Sequence, residues 1–237
     1  AYAAGNPALQ PFYQYEVSLE AFVQVIEDKK KDCTDRELLV NVLREQYASY
    51  DAGALTLANI EALRDGQTFT VTTAHQPCLL TGPLYFIYKC FSTINLAESL
   101  SQAYPAYRFV PVFVLGSEDH DFEEINHIQL FGKKLQWENA ESGPCGKMNT
   151  DSLQPLLESL SAILGTSENA REILGLIEQA YTAHATFGAA TVHLVAKLFS
   201  EYGLIVLDMN HAAFKRKFEP FMRRELLEQA SRGLIEA

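Results

Sequence analysis

The stretch from Thr68 to Leu115 restricts the fold more than any other part of the chain. Thr68–Thr73 reads TFTVTT, a β-branched run bounded by Gly66, and Phe109–Leu115 reads FVPVFVL, continuously apolar over the length of a strand. An apolar run without alternation suits a strand covered on both faces, as in a parallel sheet. Between the two, Pro83 is placed as the first residue of a helix. Leu84, Ile87, Tyr88, Phe91, Ile94 and Leu100 are predicted to form its buried face. The unit is β–loop–α–β, with parallel strands and a right-handed crossover.

The rest of the chain extends this unit. Residues 1–66 read as a helical lead-in packed on the core, with Phe22, Val25 and Ile26, then Leu38, Leu39, Val42 and Leu43, at helical spacing. Residues 67–237 read as the core, carrying an inserted segment at about 128–183. A hairpin is expected at Ile128–Trp137, turning at Gly132-Lys133-Lys134. Helices are expected at Leu153–Leu164, Glu168–Ala183 and Phe187–Tyr202, the last stopped by Gly203. Leu204–Asp208 (LIVLD) is a third buried strand, and a basic helix, Ala213–Ala230, follows it. The order implies an α/β doubly wound parallel sheet. Three central strands are few for such a sheet, and there is no initiator Met. The chain therefore reads as a piece of a longer one with its remaining strands absent.

Composition removes several classes of function. Hydrophobic residues are 48% and charged residues 21%, which excludes bulk disorder. No apolar run reaches the roughly 18–20 residues of a membrane helix. Ala1–Phe12 lacks the basic-then-apolar order of a secretory signal. With 19 basic against 30 acidic residues, the net charge of −11 argues against nucleic-acid binding through a broad basic face. Cys33, Cys78, Cys90 and Cys145 form no CxxC pair, so a reducing, cytoplasmic compartment is expected.

Ligands of open α/β sheets bind beyond the carboxyl ends of the strands. The three segments that follow the strands hold His75, His120, His127 and His211, four of the six histidines. Parallel strands would bring these segments to one edge, which is the expected site. The first segment, Ala74–Pro83, enters a helix N-terminus, where free N–H groups favour an anion. Thr81 and Lys89 can add donors there, Gly82 permits close approach, and His75 can donate to developing negative charge. Residues 118–124 hold five carboxylates and a histidine, a crowding that can poise a general base. A helix starting near Asp119 would put His120, Glu124 and His127 on one face with metal-ligand spacing, the basis of an alternative metal-dependent hydrolase. An acidic first turn complementing the helix dipole explains the same residues without a metal. Cys78, three residues from His75, has no evident orienting group for a nucleophile. Trp137 and the aromatics of Tyr85–Phe91 read as core, and Lys215, Arg216, Lys217, Arg223 and Arg224 as a solvated or interface face.

Two strings carry a family resemblance. Thr72–Lys89 (TTAHQPCLLTGPLYFIYK) and Ser117–His127 (SEDHDFEEINH) resemble the bacillithiol biosynthesis cysteine-adding enzymes, the BshC family. Phe187–Asp208, Phe214–Leu226 and Pro11-Phe12-Tyr13 are similar to it too, so the resemblance covers essentially the whole chain. The family pattern usually has Gly where Ala74 stands. The resemblance implies a Rossmann-like core related to class I nucleotidyl-transfer folds, with a coiled coil in the longer family members. It implies addition of L-cysteine to glucosaminyl malate through an amide between the cysteine carboxyl and the sugar amine. ATP or another nucleotide is the implied cosubstrate, because a free carboxylate needs activation. His75 with Glu118, Asp119, His120 and Asp121 is the implied catalytic group. Gln76, Thr81, Gly82, Tyr85, Lys89, Asn126 and His127 are the implied substrate- and anion-binding residues, and no metal ligand is assigned. On this reading an acid of Glu118–Asp121 binds the cysteine ammonium or deprotonates the sugar amine, and His75 steadies the activated carboxylate. The implied partners are small molecules, with neither nucleic acid nor membrane, and a homodimer is compatible with it. A non-catalytic nucleotide-binding fragment is the remaining alternative.

Overall fold

Among the described residues, three α-helices precede the first strand: Phe22–Lys29 (α1), Arg36–Tyr47 (α2) and Ala54–Ala62 (α3). They belong to a computed structural model that describes residues 2–50 and 52–236. Thr68–His75 (β1), Tyr85–Ala103 (α4) and Arg108–Leu115 (β2) form the βαβ unit. A short helix, Phe122–Ile125 (α5), leads into an antiparallel hairpin of His127–Leu130 (β3) and Lys133–Gln136 (β4). Gln154–Leu164 (α6), Glu168–Ala183 (α7) and Phe187–Leu198 (α8) return the chain to the sheet at Ile205–Asp208 (β5). Ala212–Glu228 (α9) and Arg232–Ile235 (α10) complete the described residues.

The sheet is parallel, in the order β1-β2-β5, and the architecture is a Rossmann-like α/β fold. Both crossovers advance the same way across it, so right-handed connections put α4 and α8 on one face. Phe91 of α4 accordingly meets Phe199, just past α8, at 5.2 Å between ring centroids. β2 is the central strand and is buried from Phe109 to Phe113. Pro111 fits there because its ring nitrogen is on the side facing β5, and β5 pairs only from Val112 onward. Proline is tolerated where no ladder donor is needed.

Three local expectations are corrected. The buried stripe of α4 is Phe86, Cys90, Thr93, Ile94, Ala97 and Leu100, whereas Leu84 and Tyr88 are 65% and 63% exposed. Small residues occupy the middle of that stripe, and the bulkier side chains beside it mislead a reading by hydrophobicity. The hairpin turns at Phe131 and Gly132, with φ of 49° and 77°, the two left-handed residues of a type I′ turn, one position earlier than expected. The helix from Phe187 ends at Leu198, and a 3-10 turn over Ser200–Tyr202 precedes Gly203. Gly203 has φ 67°, and a Cβ there would lie 2.5 Å from the Asn59 amide nitrogen. Glycine is required by backbone and by packing together.

One apolar cluster joins the sheet to α2, α3, α4 and α8 through Val40, Leu43, Phe86, Val110, Phe113 and Val195, among others. A second joins Trp137, Leu153, Leu157, Tyr181, Phe187 and Leu194 beneath the hairpin and α6–α7. α8 serves both, with Val192 and Val195 in the first and Phe187, Ala190 and Leu194 in the second. A helix apolar on nearly every side must be interior. Among the described residues, no helix is long and apolar enough to cross a membrane.

The outer edge of β5 is closed by side chains of α2. The Gln46 amide donates to the Val206 carbonyl at 2.7 Å and accepts from the Asp208 N–H at 2.9 Å. The Tyr47 hydroxyl accepts from the Val206 N–H at 2.8 Å. The Gln46 amide therefore bonds β5 as one residue of a neighbouring strand would. A covered edge cannot template pairing with another chain.

His184 Nε2 lies 2.9 Å from His193 Nδ1 at the junction of α7 and α8, and both rings pack against Tyr50. Burial lowers the His184 pKa, and His75 is shifted the same way. The unfolded chain therefore binds these protons more readily than the folded one. Their contribution to stability is full above the unfolded value of about 6.5 and is lost as pH falls through the lowered folded values. Thermal melts should show a lower midpoint at about pH 5.5 than at about pH 7.5, and His184→Gln should flatten that dependence.

Candidate functional site

The sheet register decides which groups meet. His75, Leu115 and Asp208 stand side by side at the carboxyl ends of the three strands. The Gly116 N–H donates to the His75 carbonyl at 2.8 Å and the Met209 N–H to the Leu115 carbonyl at 3.2 Å. The three polar segments therefore leave the sheet on one rim.

In the first segment, His75 Nδ1 is 3.1 Å from the Gln76 carbonyl oxygen. A carbonyl only accepts, so Nδ1 carries the proton and Nε2 accepts from the Tyr85 hydroxyl. Burial lowers the His75 pKa and the Lys89 charge adds to this, against the Gln76 bond and the carboxylates of Asp119 and Glu124. The imidazole is thus held neutral, with Tyr85 between it and solvent. Lys89, one turn into α4, donates to the Ala74 carbonyl at 3.2 Å and sits 5.4 Å from the Tyr85 ring centroid. No side chain caps the start of α4. The approach to it is a tight turn in which Leu80, Thr81 and Gly82 have φ of 50°, 69° and 62°, a cluster of left-handed residues of the kind that collects at functional sites. Two contacts hold the turn. A Cβ on Gly82 would lie 2.7 Å from Cys78 Cβ, and the Leu80 N–H donates to the Tyr181 hydroxyl of α7 at 3.1 Å.

In the second segment, buried Ser117 donates its hydroxyl to Asp208, which ties the ends of β2 and β5 together. The turn at Cys145–Gly146 clamps the same loop. The Cys145 N–H donates to the Asp119 carbonyl at 2.7 Å and the Gly146 N–H to the Ser117 carbonyl at 3.0 Å. Asp119 is half-buried and its carboxylate accepts from the Asp121 N–H at 2.9 Å. The Asp121 side chain accepts from the Glu124 N–H at the start of α5. Gln76 reaches across from the first segment to donate to Glu124 at 3.2 Å. Glu118 turns the other way and pairs with Lys215 of α9. His120 is exposed. Asn126 is buried, accepting the Trp137 N–H on its carbonyl at 2.7 Å, with its side-chain oxygen 3.1 Å from His127 Nδ1 at the foot of the hairpin.

His75, Gln76, Tyr85, Lys89, Asp119 and Glu124 thus gather at the rim, while Asn126 and His127 brace the hairpin. The metal-ligand face is overturned. The turn at Asp119–Asp121 delays α5 to Phe122 and Asn126 ends it, so His120 lies before the helix and His127 opens β3. Among the described residues, no three His, Cys, Asp or Glu side chains gather as a metal would require. Cys78 Sγ lies 3.5 Å from His75 Nδ1 and 3.6 Å from the Gln76 carbonyl oxygen, and burial pushes its thiol up to about 12, which disfavours the thiolate a nucleophile needs.

The comparison with protein families matches residues 1–237 to the family described as bacillithiol biosynthesis BshC, N-terminal Rossmann-like domain. The chain belongs to the BshC family. A relative from Flavobacterium psychrophilum named "Putative cysteine ligase BshC" is 44% identical over 233 residues, 97% of this chain and 44% of that protein. Relatives of the same name from Flavobacterium johnsoniae and Bacillus mycoides are 42% and 29% identical, covering 94% of this chain each and 42% and 43% of those proteins. The chain spans less than half the length of the curated relatives it matches.

The Ser117–Asp208 bond, the Cys145–Gly146 clamp and the Tyr181 brace were not expected from the sequence. Asp208 and Ser117 carry a usable signal, since each lies within two residues of a strand end. The clamp acts through backbone N–H groups, which leave no side-chain signature.

Two outcomes follow for this BshC-family rim. A Cβ on Gly146 would lie 2.5 Å from Ser117 Cβ and 2.6 Å from its carbonyl oxygen, so Gly146→Ala should cost about 1–3 kcal/mol in denaturant unfolding. Thiol labelling of the folded protein should modify exposed Cys33 alone. Burial pushes Cys78, Cys90 and Cys145 up to about 12, 12 and 11, so they should react only on unfolding.

Proposed function

We propose that this domain supplies the rim at which L-cysteine is joined to glucosaminyl malate in bacillithiol biosynthesis, within a longer cytoplasmic cysteine ligase. The observation that carries the reading is that the rim has two signs. On one side are the uncapped start of α4, Lys89 and the Tyr85 hydroxyl backed by neutral His75. On the other are Asp119 and Glu124, whose charges are felt at His75. An amino acid is a zwitterion, and its carboxylate and ammonium suit these two halves.

The donor set also fits a nucleotide, with Thr81, Lys89 and the first N–H groups of α4 as the residues that would hold its phosphates. A bound nucleotide would supply the activation that a free carboxylate lacks. The remaining work falls to the chain. Lys89 orients the cysteine carboxyl group and offsets negative charge that grows on its oxygens, and the Tyr85 hydroxyl adds a donor there when its hydrogen turns from His75 Nε2 to the carboxyl group. Asp119, fixed by the Cys145 and Asp121 N–H groups, holds the cysteine ammonium or takes the proton released when the sugar amine nitrogen bonds to the carboxyl carbon and the bond from that carbon to its activated oxygen breaks. The four free cysteines suit a reducing compartment. The acidic total disfavours a nucleic-acid partner, and a homodimer through the longer chain is compatible with the reading.

The test uses the full-length enzyme. His75→Ala and Asp119→Asn should each reduce kcat/KM for product formation by at least about 100-fold. Tyr85→Phe should produce a smaller loss. Unchanged product formation in both of the first two variants would remove the assignment.

A further inference from the structure

We infer that Tyr181 of α7 is a positioning residue for the anion at the start of α4, an inference that rests on the reading above. Its buried hydroxyl holds the turn at Leu80–Gly82 in the shape that receives a carboxylate or a phosphate. On that reading the turn and Lys89 take the carboxyl group of cysteine or the phosphates of a nucleotide. A helix remote from the sheet thereby gains a part in binding.

The chain passes from one apolar cluster to the other within this turn. Cys78 and Leu79 are buried in the cluster beneath the hairpin and α6–α7, and Leu80 packs against it. Phe86 and Cys90 of α4 belong to the cluster beneath the sheet. Leu80 lies in the left-handed region, at φ 50° and ψ 40°, and Thr81 follows at φ 69°. That region is costly for any residue with a Cβ, so the surroundings must hold the turn there. Within the turn, the Thr81 N–H donates to the Cys78 carbonyl at 3.2 Å and the Gly82 N–H to the Leu79 carbonyl at 2.7 Å. The Leu80 N–H instead donates to the Tyr181 hydroxyl at 3.1 Å. The Tyr181 ring is buried and lies nearly parallel to Phe187 of α8, 6.0 Å between centroids. Burial pushes its hydroxyl up, so it stays neutral across the physiological range. A phenylalanine would fill the same volume in the cluster, and what tyrosine adds is an acceptor for this N–H. Thr81, Gly82 and the free N–H groups of α4 follow directly, so a displaced Leu80 would displace the donors that meet the anion.

Titration calorimetry on the full-length polypeptide tests this, with ATP and L-cysteine as separate probes. Tyr181→Phe keeps the ring and removes the acceptor, and should weaken binding of the anion seated at the turn about tenfold. A loss confined to ATP assigns the turn to phosphate, one confined to L-cysteine assigns it to carboxylate, and either supports the inference. Unchanged affinity for both, where Lys89→Ala weakens one of them, would overturn the role of Tyr181 and leave the reading above standing. If Lys89→Ala also leaves both affinities unchanged, the anion sits elsewhere, and the reading falls together with the inference. Leu135→Ala removes packing from the same cluster and keeps the hydroxyl. It should lower the melting midpoint yet leave both affinities within about twofold; a loss equal to that of Tyr181→Phe would make Tyr181 a packing residue only. Hydrogen exchange reads the turn itself: peptides covering residues 78–84 should exchange at least about tenfold faster in Tyr181→Phe, with those covering 108–115 unchanged. Unaltered exchange of the turn would overturn the inference. If Tyr181→Phe fails to fold, Phe187→Leu decides, because it removes the ring stacked on Tyr181 and should weaken the same probe about threefold; unchanged affinity there would overturn the inference.

Discussion

Parallel pairing in a single register is the constraint on which the molecule depends. β1, β2 and β5 end together at the rim, at His75, Leu115 and Asp208. A slip of one residue in any strand would turn its side chains to the opposite face. It would also separate the Ser117 hydroxyl from Asp208 and carry Gln76 away from Glu124. The tight glycines enforce this registration, because Gly146 and Gly188 let three backbone segments meet with no side chain between them. The site is therefore a property of how strand ends are aligned, and its loops need little structure of their own.

The charge arrangement follows from the same alignment. The β1 end and the start of α4 bring a cation and hydroxyl donors, and the segment after β2 brings carboxylates. His75 sits between the two and remains neutral because burial outweighs the pull of the acids. Glu118 turns outward to Lys215. This leaves half-buried Asp119 and exposed Glu124 as the acids whose fields reach the imidazole. Crowding in the sequence thus overstates crowding in space, since a run of acids on a turn fans out in several directions.

Much of this was legible in the sequence, for identifiable reasons. The FVPVFVL run can satisfy its burial only as a central strand, and TFTVTT and LIVLD flank it in composition and spacing. With three parallel strands recognised, the common rim followed, and His75 and Asp119 fell on it. The face of α4 was misread because Cys90 and Thr93 are weakly hydrophobic, although packing places them inside. The supposed metal face assumed a helix that the turn at Asp119–Asp121 delays. The clamp of Cys145 and Gly146 on the acidic loop was out of reach, because main-chain donors leave no trace in residue identity. Gln46 was equally silent, since nothing in the sequence marks a helical amide that substitutes for a strand.

α8 has a consequence for how the domain comes apart. Its two sides are built into different apolar clusters, one beneath the sheet and one beneath the hairpin and the α6–α7 pair. Loosening either cluster strips one flank of the helix and leaves the other without support. The insertion and the sheet therefore share a party wall, and heat or denaturant should dismantle them in one cooperative step, leaving no half-melted state in which the sheet outlives its insertion.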